Sequence, residues 1–315
     1  MPVKRGTVIL IAVVLLAGAG SLGCLEQPKE GAGDALLALK VGAMPDEATL
    51  PYYVAAQEGI FREHGLDVEV VPFQSALERD SALIAGRIDA GQNDPVGVLV
   101  LRNAGYDARI VSRELHETPG KMRFAILASP NSEIRAVEDL AGKQVAISSN
   151  TVIDWITDNL LGDVQTLKIE EKKVPIRMQL LLDNKYEAAT LAEPLASYAL
   201  YRGAHLVISD AMHDQTIGYT VIVFRGAFID EHPESVVQFL AAFDEAVDRI
   251  NANPENYREL LVKTAQVPKE IAETYQMATY MQAAPYPRDN FEDVLSWMRS
   301  KGLVTEAISY DEVIY

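Results

Sequence analysis

Small polar residues collect at four places where an apolar run hands over to a helical pattern, and there the chain can do chemistry. Met44–Pro45–Asp46–Glu47 follows a first apolar run and precedes a helix whose first turn offers free N–H groups. Thr49 reads there as an N-cap, with Pro51 tolerated in the first turn. Asn93–Asp94–Pro95 ends a short strand; Asp94 suits a helix cap, and the Asn93 amide, both donor and acceptor, is a candidate ligand contact. Ser148–Ser149–Asn150–Thr151 opens another helix. Thr151 and Asp154 make a capping-box-like pair, which leaves Ser148, Ser149 and Asn150 as candidates to hold a polar ligand group. Glu193 before Pro194 reads as a solvated turn ahead of a proline-started helix, and Tyr219 stacks on a ligand or packs between lobes.

The chemistry these residues support is binding. His64, His116, His205, His213 and His232 are scattered, without the spacing of a metal site. The Glu114–His116–Glu117 cluster reads as a solvated loop. No nucleophile elbow, phosphate loop or dinucleotide glycine pattern occurs. Neither a catalytic residue, a metal ligand nor a cofactor is therefore assigned. Asp46, Asp94 and Glu193 are acidic and no Lys or Arg falls in these loops, so a ligand that donates hydrogen bonds or carries positive charge is expected. The alternatives are an exported enzyme of the same fold, using Asp46 and Glu193 as acid and base, and a solute sensor without a transporter.

Alternating strand-like and amphipathic helical segments must position these residues, the pattern of an α/β fold. Strands are expected at 37–43, 66–72, 88–92, 107–112, 122–128, 144–148, 165–170, 187–190, 205–209 and 219–224. Helices are expected at 51–64, 76–85, 95–103, 151–161, 175–183 and 194–201, followed by a helical tail at 234–251, 254–264, 269–281 and 291–300. Two similar α/β passages imply two lobes: 37–122 with 225–315, and 123–224. The strands at 122–128 and 219–224 sit at the joins, with hinges expected near Ala128 and Phe224 and a cleft at the carboxyl ends of both sheets.

Lys4 and Arg5 precede an uncharged apolar run from Gly6 to Gly20, the signature of an export signal over residues 1–23. Cys24, the single cysteine, stands where a lipoprotein signal is cut and acylated, although Ser21 occupies the usual branched aliphatic position. A plain secretory signal is the alternative. Residues 24–36 read as a flexible tether. The formal charge of −17 argues against nucleic-acid partners and against electrostatic attachment to anionic lipid. An extracytoplasmic, lipid-anchored domain is expected.

Leu50-Pro51, Tyr53-Val54-Ala55, Gly59-Ile60-Phe61 and Gly65-Leu66-Asp67-Val68 resemble the substrate-binding proteins of ABC importers, in the group that includes sulfonate, taurine, nitrate and pyrimidine-precursor binders. Ile84 to Asp89, Asp139 to Lys143 and Glu193-Pro194 extend the likeness. The resemblance implies a two-lobed type II periplasmic-binding-protein fold with the helical tail on the first lobe. It also implies a small-molecule solute, a monomeric receptor, and an ABC permease with its ATPase as partners. It brings Asp46, Leu50, Tyr52 and Glu193 to the cleft as ligand contacts. The Trp and His that pyrimidine binders carry near the first loop are absent from Met44 to Tyr53.

Overall fold

The computed structural model describes residues 36–315. The expected signal at 1–23, Cys24 and all of the tether before Leu36 lie outside the described residues. Among the described residues no helix is long and apolar enough to cross a membrane.

The first passage contains β1 (Leu37–Ala43), a single 3-10 turn (Glu47–Thr49), α1 (Leu50–Gln57), α2 (Ile60–Glu63), β2 (Leu66–Pro72), α3 (Ala76–Ile84), β3 (Ala90–Asn93), α4 (Pro95–Asn103) and β4 (Ala108–Leu115). The second contains β5 (Phe124–Ala128), β6 (Gln144–Ile147), α5 (Val152–Leu161), β7 (Leu167–Glu170), α6 (Val174–Leu182), β8 (Ala188–Ala192), α7 (Leu195–Tyr201) and β9 (His205–Ser209). Then follow β10 (Thr220–Arg225), α8 (Gly226–Glu231), α9 (Pro233–Ala252), α10 (Arg258–Thr264), α11 (Arg288–Ser300) and α12 (Tyr310–Val313).

Two five-stranded sheets with matching topology define the two lobes. Their orders are β2-β1-β3-β10-β4 and β7-β6-β8-β5-β9. In each, four strands run in one direction, three of them paired side by side in parallel as crossover helices require, and the strand that enters after a crossing lies antiparallel between the third and the fourth. This is the two-lobed α/β architecture expected. The crossings are displaced from their expected places. Phe124–Ala128 and Thr220–Arg225 are interior strands, and the chain passes between lobes over 116–123 and 210–219. The second lobe therefore stops before Thr220 rather than at residue 224, because β10 pairs with β3 and β4.

The tail packs on the first lobe. Val236, Phe239, Phe243, Ala246 and Ile250 fall on one face of α9 and are fully buried. Phe239 lies 5.2 Å from Phe61, 5.3 Å from Phe224 and 5.9 Å from Tyr52, ring centre to ring centre. Edge and offset contacts of this kind add about 0.5–1.5 kcal/mol each beyond the area they bury.

Two expected helices change form. The one at 51–64 breaks at Gly59, whose φ of +77° suits glycine. The one at 269–281 is absent: the segment turns and then runs irregularly. A helix would set Tyr275 and Tyr280, five residues apart, roughly 140° apart around its axis. The irregular course lets both reach Glu47.

Candidate functional site

Both lobes and the first crossing send charged side chains to one buried cluster. The turn after β1 supplies Asp46 and Glu47; the end of β4 supplies Glu114; the crossing supplies Lys121 and Arg123; and the residue after β8 supplies Glu193. Asp46 caps the 3-10 turn, accepting from the Ala48 N–H at 2.7 Å. Thr49 does not cap α1 as expected; its hydroxyl donates to the Met44 and Asp46 carbonyls instead.

Arg123 is the centre of the cluster. Its Nη2 donates to both Asp46 carboxylate oxygens at 3.0 and 3.2 Å, and Nη1 stands 3.9 Å from Glu47. Burial works against its charge, but Asp46 and Glu47 more than offset this and hold the guanidinium firmly protonated. Glu47 is fully buried, accepts from the Tyr275 hydroxyl at 2.9 Å and lies 3.4 Å from Lys121. The Tyr280 hydroxyl donates to the Glu47 carbonyl. Tyr52 donates to Glu114, and burial pushes the Glu114 carboxyl up to about 8. Burial likewise raises Glu193, to about 7, although Ser197 donates to it at 2.7 Å. Among the described residues, Glu47 Oε1, Glu114 Oε2, Arg123 Nε and Arg123 Nη1 are buried without hydrogen-bond partners.

A second pair of carboxylates ties the crossings together. Glu117 on the first accepts from the Ile217 and Gly218 N–H groups of the second at 2.7 and 3.0 Å. Asp210 on the second accepts from the N–H groups of Arg123 and Phe124. Burial and then the Glu117 charge raise Asp210 to about 7. Glu114 and Glu117 are thus buried rather than solvated as expected. Alongside, α5 meets α11 across the lobes: Trp155 and Trp297 lie 5.6 Å apart, and Lys301 bridges to Asp158 at 2.7 Å.

The expected site residues divide among several places. Asp46, Tyr52 and Glu193 join the cluster. Leu50 is buried in the first lobe's core. Asn93 is buried in a network of its own, accepting from Arg79 at 2.7 Å and donating to Asp80 at 3.1 Å, while Asp94 caps α4. Ser148, Ser149 and Asn150 precede α5; the Ser149 N–H donates to Glu170 and the Asn150 N–H to Asp154, while Thr151 caps the helix. Tyr219 packs between His116 and Tyr286 at 4.7 and 5.3 Å, beside the crossings. The expectation of loops without cations is corrected by Lys121 and Arg123, which come from the crossing. One signal was present in the sequence: Arg123 interrupts an apolar run that no surface strand would need to carry.

Two lobes of matching topology, joined by two crossings and meeting at a buried polar cluster, define the class: a type II periplasmic-binding-protein fold. The chain belongs to the NMT1/THI5-like family, whose model matches residues 47–257. It is 26% identical over 258 residues to a Bacillus subtilis protein named as an aliphatic sulfonates-binding protein, covering 78% of this chain and 73% of that one. Among solved structures it is similar to the periplasmic aliphatic sulphonate binding protein SsuA from Escherichia coli. The TM-score is 0.76 at 20% identity, over 89% of this chain and 97% of that one. It also resembles the desulfurization enzyme DSZB, with a TM-score of 0.66 at 13% identity, over 88% and 96% of the two chains.

Proposed function

We propose that the chain is the extracytoplasmic solute-binding component of an ABC importer. It captures a small organic or oxyanion solute between its lobes and hands it to a membrane permease driven by a separate ATPase. The observation that carries this reading is the convergence of both lobes and a crossing on one buried, incompletely hydrogen-bonded cluster around Arg123. A buried polar group without a partner costs about 1–3 kcal/mol, so a solute that supplies partners gains that much per group. Membership of the NMT1/THI5-like family, and relatives named for binding sulfonates, support the same role.

The mechanism is closure of the lobes 37–115 with 220–315, and 124–209, about the crossings that Glu117 and Asp210 tie together, with the permease recognising the closed form. Cys24 is the lipid attachment site, the tether to Leu36 lets a monomeric receptor turn toward its permease, and the apolar run from Gly6 to Gly20 exports it. Asp46, Tyr52 and Glu193 contact the solute directly. Ser148, Ser149, Asn150 and Tyr219 shape the walls, while Leu50 in the first lobe's core and Asn93, held by Arg79 and Asp80, support them from behind.

Carboxyls raised to about 8 and 7 at Glu114 and Glu193, together with the likeness to DSZB, support a second reading as an exported acid–base enzyme. A thermal-shift screen over sulfonates, other oxyanions, amines, pyrimidines and aromatic acids tests the proposal. A true ligand at a hundredfold excess over its Kd stabilises the fold by about 2.7 kcal/mol, and Arg123→Met abolishes the shift. A hit indifferent to Arg123→Met places binding elsewhere. Conversion of the hit to product favours the enzyme.

A further inference from the structure

Away from the Arg123 cluster, a cavity of about 420 Å³ opens where α5, the second crossing and α11 meet. Trp155 and Asn159 line it from α5, Ile217 from the crossing, and Asn290, Asp293 and Trp297 from α11. Its walls therefore belong to both lobes and to one of the joins between them, a common setting for ligand sites of this size. None of the residues proposed to contact the solute lines it.

The donors of these walls are already engaged. The Trp155 indole N–H donates to the Ile217 carbonyl at 3.1 Å, and that of Trp297 donates to Asp158 at 2.9 Å. The Asn159 and Asn290 amide nitrogens donate to the Trp155 and Thr216 carbonyls at 2.8 and 2.6 Å. A carbonyl only accepts, so these contacts fix both amides and leave each amide oxygen free to accept. Asp293 enters no ion pair among the described residues, whereas Asp158 on α5 is bonded to Lys168, Lys301 and Trp297. Among the described residues no Lys or Arg lines the cavity. What remains is two indole surfaces, two amide oxygens and a carboxylate without a counter-ion. One indole already attracts a cation: the Lys301 ammonium, itself paired with Asp154 and Asp158, stands 4.7 Å from the Trp297 ring centre.

An anion in this cavity would meet acceptors and the Asp293 charge. A neutral molecule could donate to the amide oxygens but would forgo the charge-assisted bond to Asp293, roughly twice as strong as a neutral one. A planar cation stacks on an aromatic surface and spreads several N–H donors in one plane, which a compact ammonium does not. We propose that this cavity is a second ligand site, distinct from the solute cluster, for a small planar organic cation of the amidinium or guanidinium type. Asp293 pairs with its charge, Asn159 and Asn290 accept from its remaining N–H groups, and the indoles form its apolar wall. A ligand so placed touches both lobes and the second crossing, so it binds the form in which α5 and α11 meet.

Two-dimensional amide NMR of the purified chain tests this, because both of its tryptophans line the cavity and their two indole N–H signals sample it directly. Benzamidinium is titrated beside its near-isosteres, neutral benzamide and anionic benzoate. Benzamidinium shifts both indole signals saturably and binds about tenfold or more tighter than either relative. Asp293→Asn, a change at an exposed position of α11, reduces that discrimination to within about threefold. Folded Arg123→Met, altered in the solute cluster, keeps both the shifts and the discrimination. Circular dichroism melting verifies that both variants are folded. Indole signals unmoved by benzamidinium, or benzamide or benzoate binding as tightly, overturn the inference. Unaltered discrimination in Asp293→Asn also overturns it, and loss of the shifts in Arg123→Met moves the cation to the solute cluster and overturns it too. The solute-binding reading stands or falls separately, on ligands whose binding needs Arg123.

Discussion

Replacing Arg123 by Met removes the one side chain that touches both acidic residues of the first loop. The guanidinium is 2% exposed, and its partner Asp46 retains 18% side-chain exposure. Loss of one partner from a buried pair costs about 3–5 kcal/mol; the partial exposure of Asp46 lets water recover some of its solvation, which sets the expectation at about 3 kcal/mol. Glu47 keeps Lys121 and Tyr275, so it adds little. Asp46→Asn preserves the cap and leaves Arg123 facing Glu47, for an expected loss of about 1–2 kcal/mol. In the double variant neither charge is stranded, and the loss is expected near 2 kcal/mol rather than the sum of about 4–5, a coupling of about 2–3 kcal/mol. Urea unfolding followed by the fluorescence of Trp155 and Trp297, with matching m-values across the four proteins, measures this cycle. An Arg123→Met cost below about 1 kcal/mol, or additivity within about 0.5 kcal/mol, refutes the ion-pair account of the cluster.

Three further outcomes follow from the same geometry. Glu114, Glu193 and Asp210 have folded-state pKa values raised to about 8, 7 and 7, so their contribution is complete below the unfolded carboxyl range and is lost as pH rises through 7 to 8. The melting temperature should therefore fall between about pH 5.5 and 8.5, and Glu114→Gln should flatten that decline; a rise over this range contradicts the assignment. Gly218→Ala would set a Cβ 2.6 Å from Asp210 Oδ2 and 2.8 Å from Glu117 Oε2; a loss of about 1–3 kcal/mol is expected in denaturant unfolding, and a neutral result means the crossings yield freely. Trp297→Phe deletes the indole bond to Asp158 at 2.9 Å, a half-buried contact expected to contribute about 1 kcal/mol, and calorimetric melting reads the loss.

The lobes were legible because their strands are continuous apolar runs and α9 carries a clear helical stripe. Asp46 and Glu193 were legible as site candidates because each follows a strand at the sheet's carboxyl end. The cations were not, because Arg123 and Lys121 belong to the crossing rather than to those loops, and only the three-dimensional path brings them to Asp46. Tyr275 and Tyr280 were hidden for a different reason: a helix-like composition at 269–281 gives way to tertiary demands, since the two hydroxyls satisfy Glu47 from an irregular backbone. Asn93 shows the reverse case. Its chemistry suits a ligand, yet the nearby Arg79 and Asp80 already use its amide. The hinge positions were displaced because the sequence marks the strands that follow a crossing more strongly than the crossing itself.

The central claim, reversible capture of a small solute at the Arg123 cluster, is tested most directly by equilibrium dialysis of the purified chain against its strongest thermal-shift ligand, followed by mass spectrometry of the released molecule. The account predicts one solute per chain, recovered chemically unchanged, with binding lost in folded Arg123→Met. Release of a converted product, or full binding by the Arg123→Met protein, would contradict it.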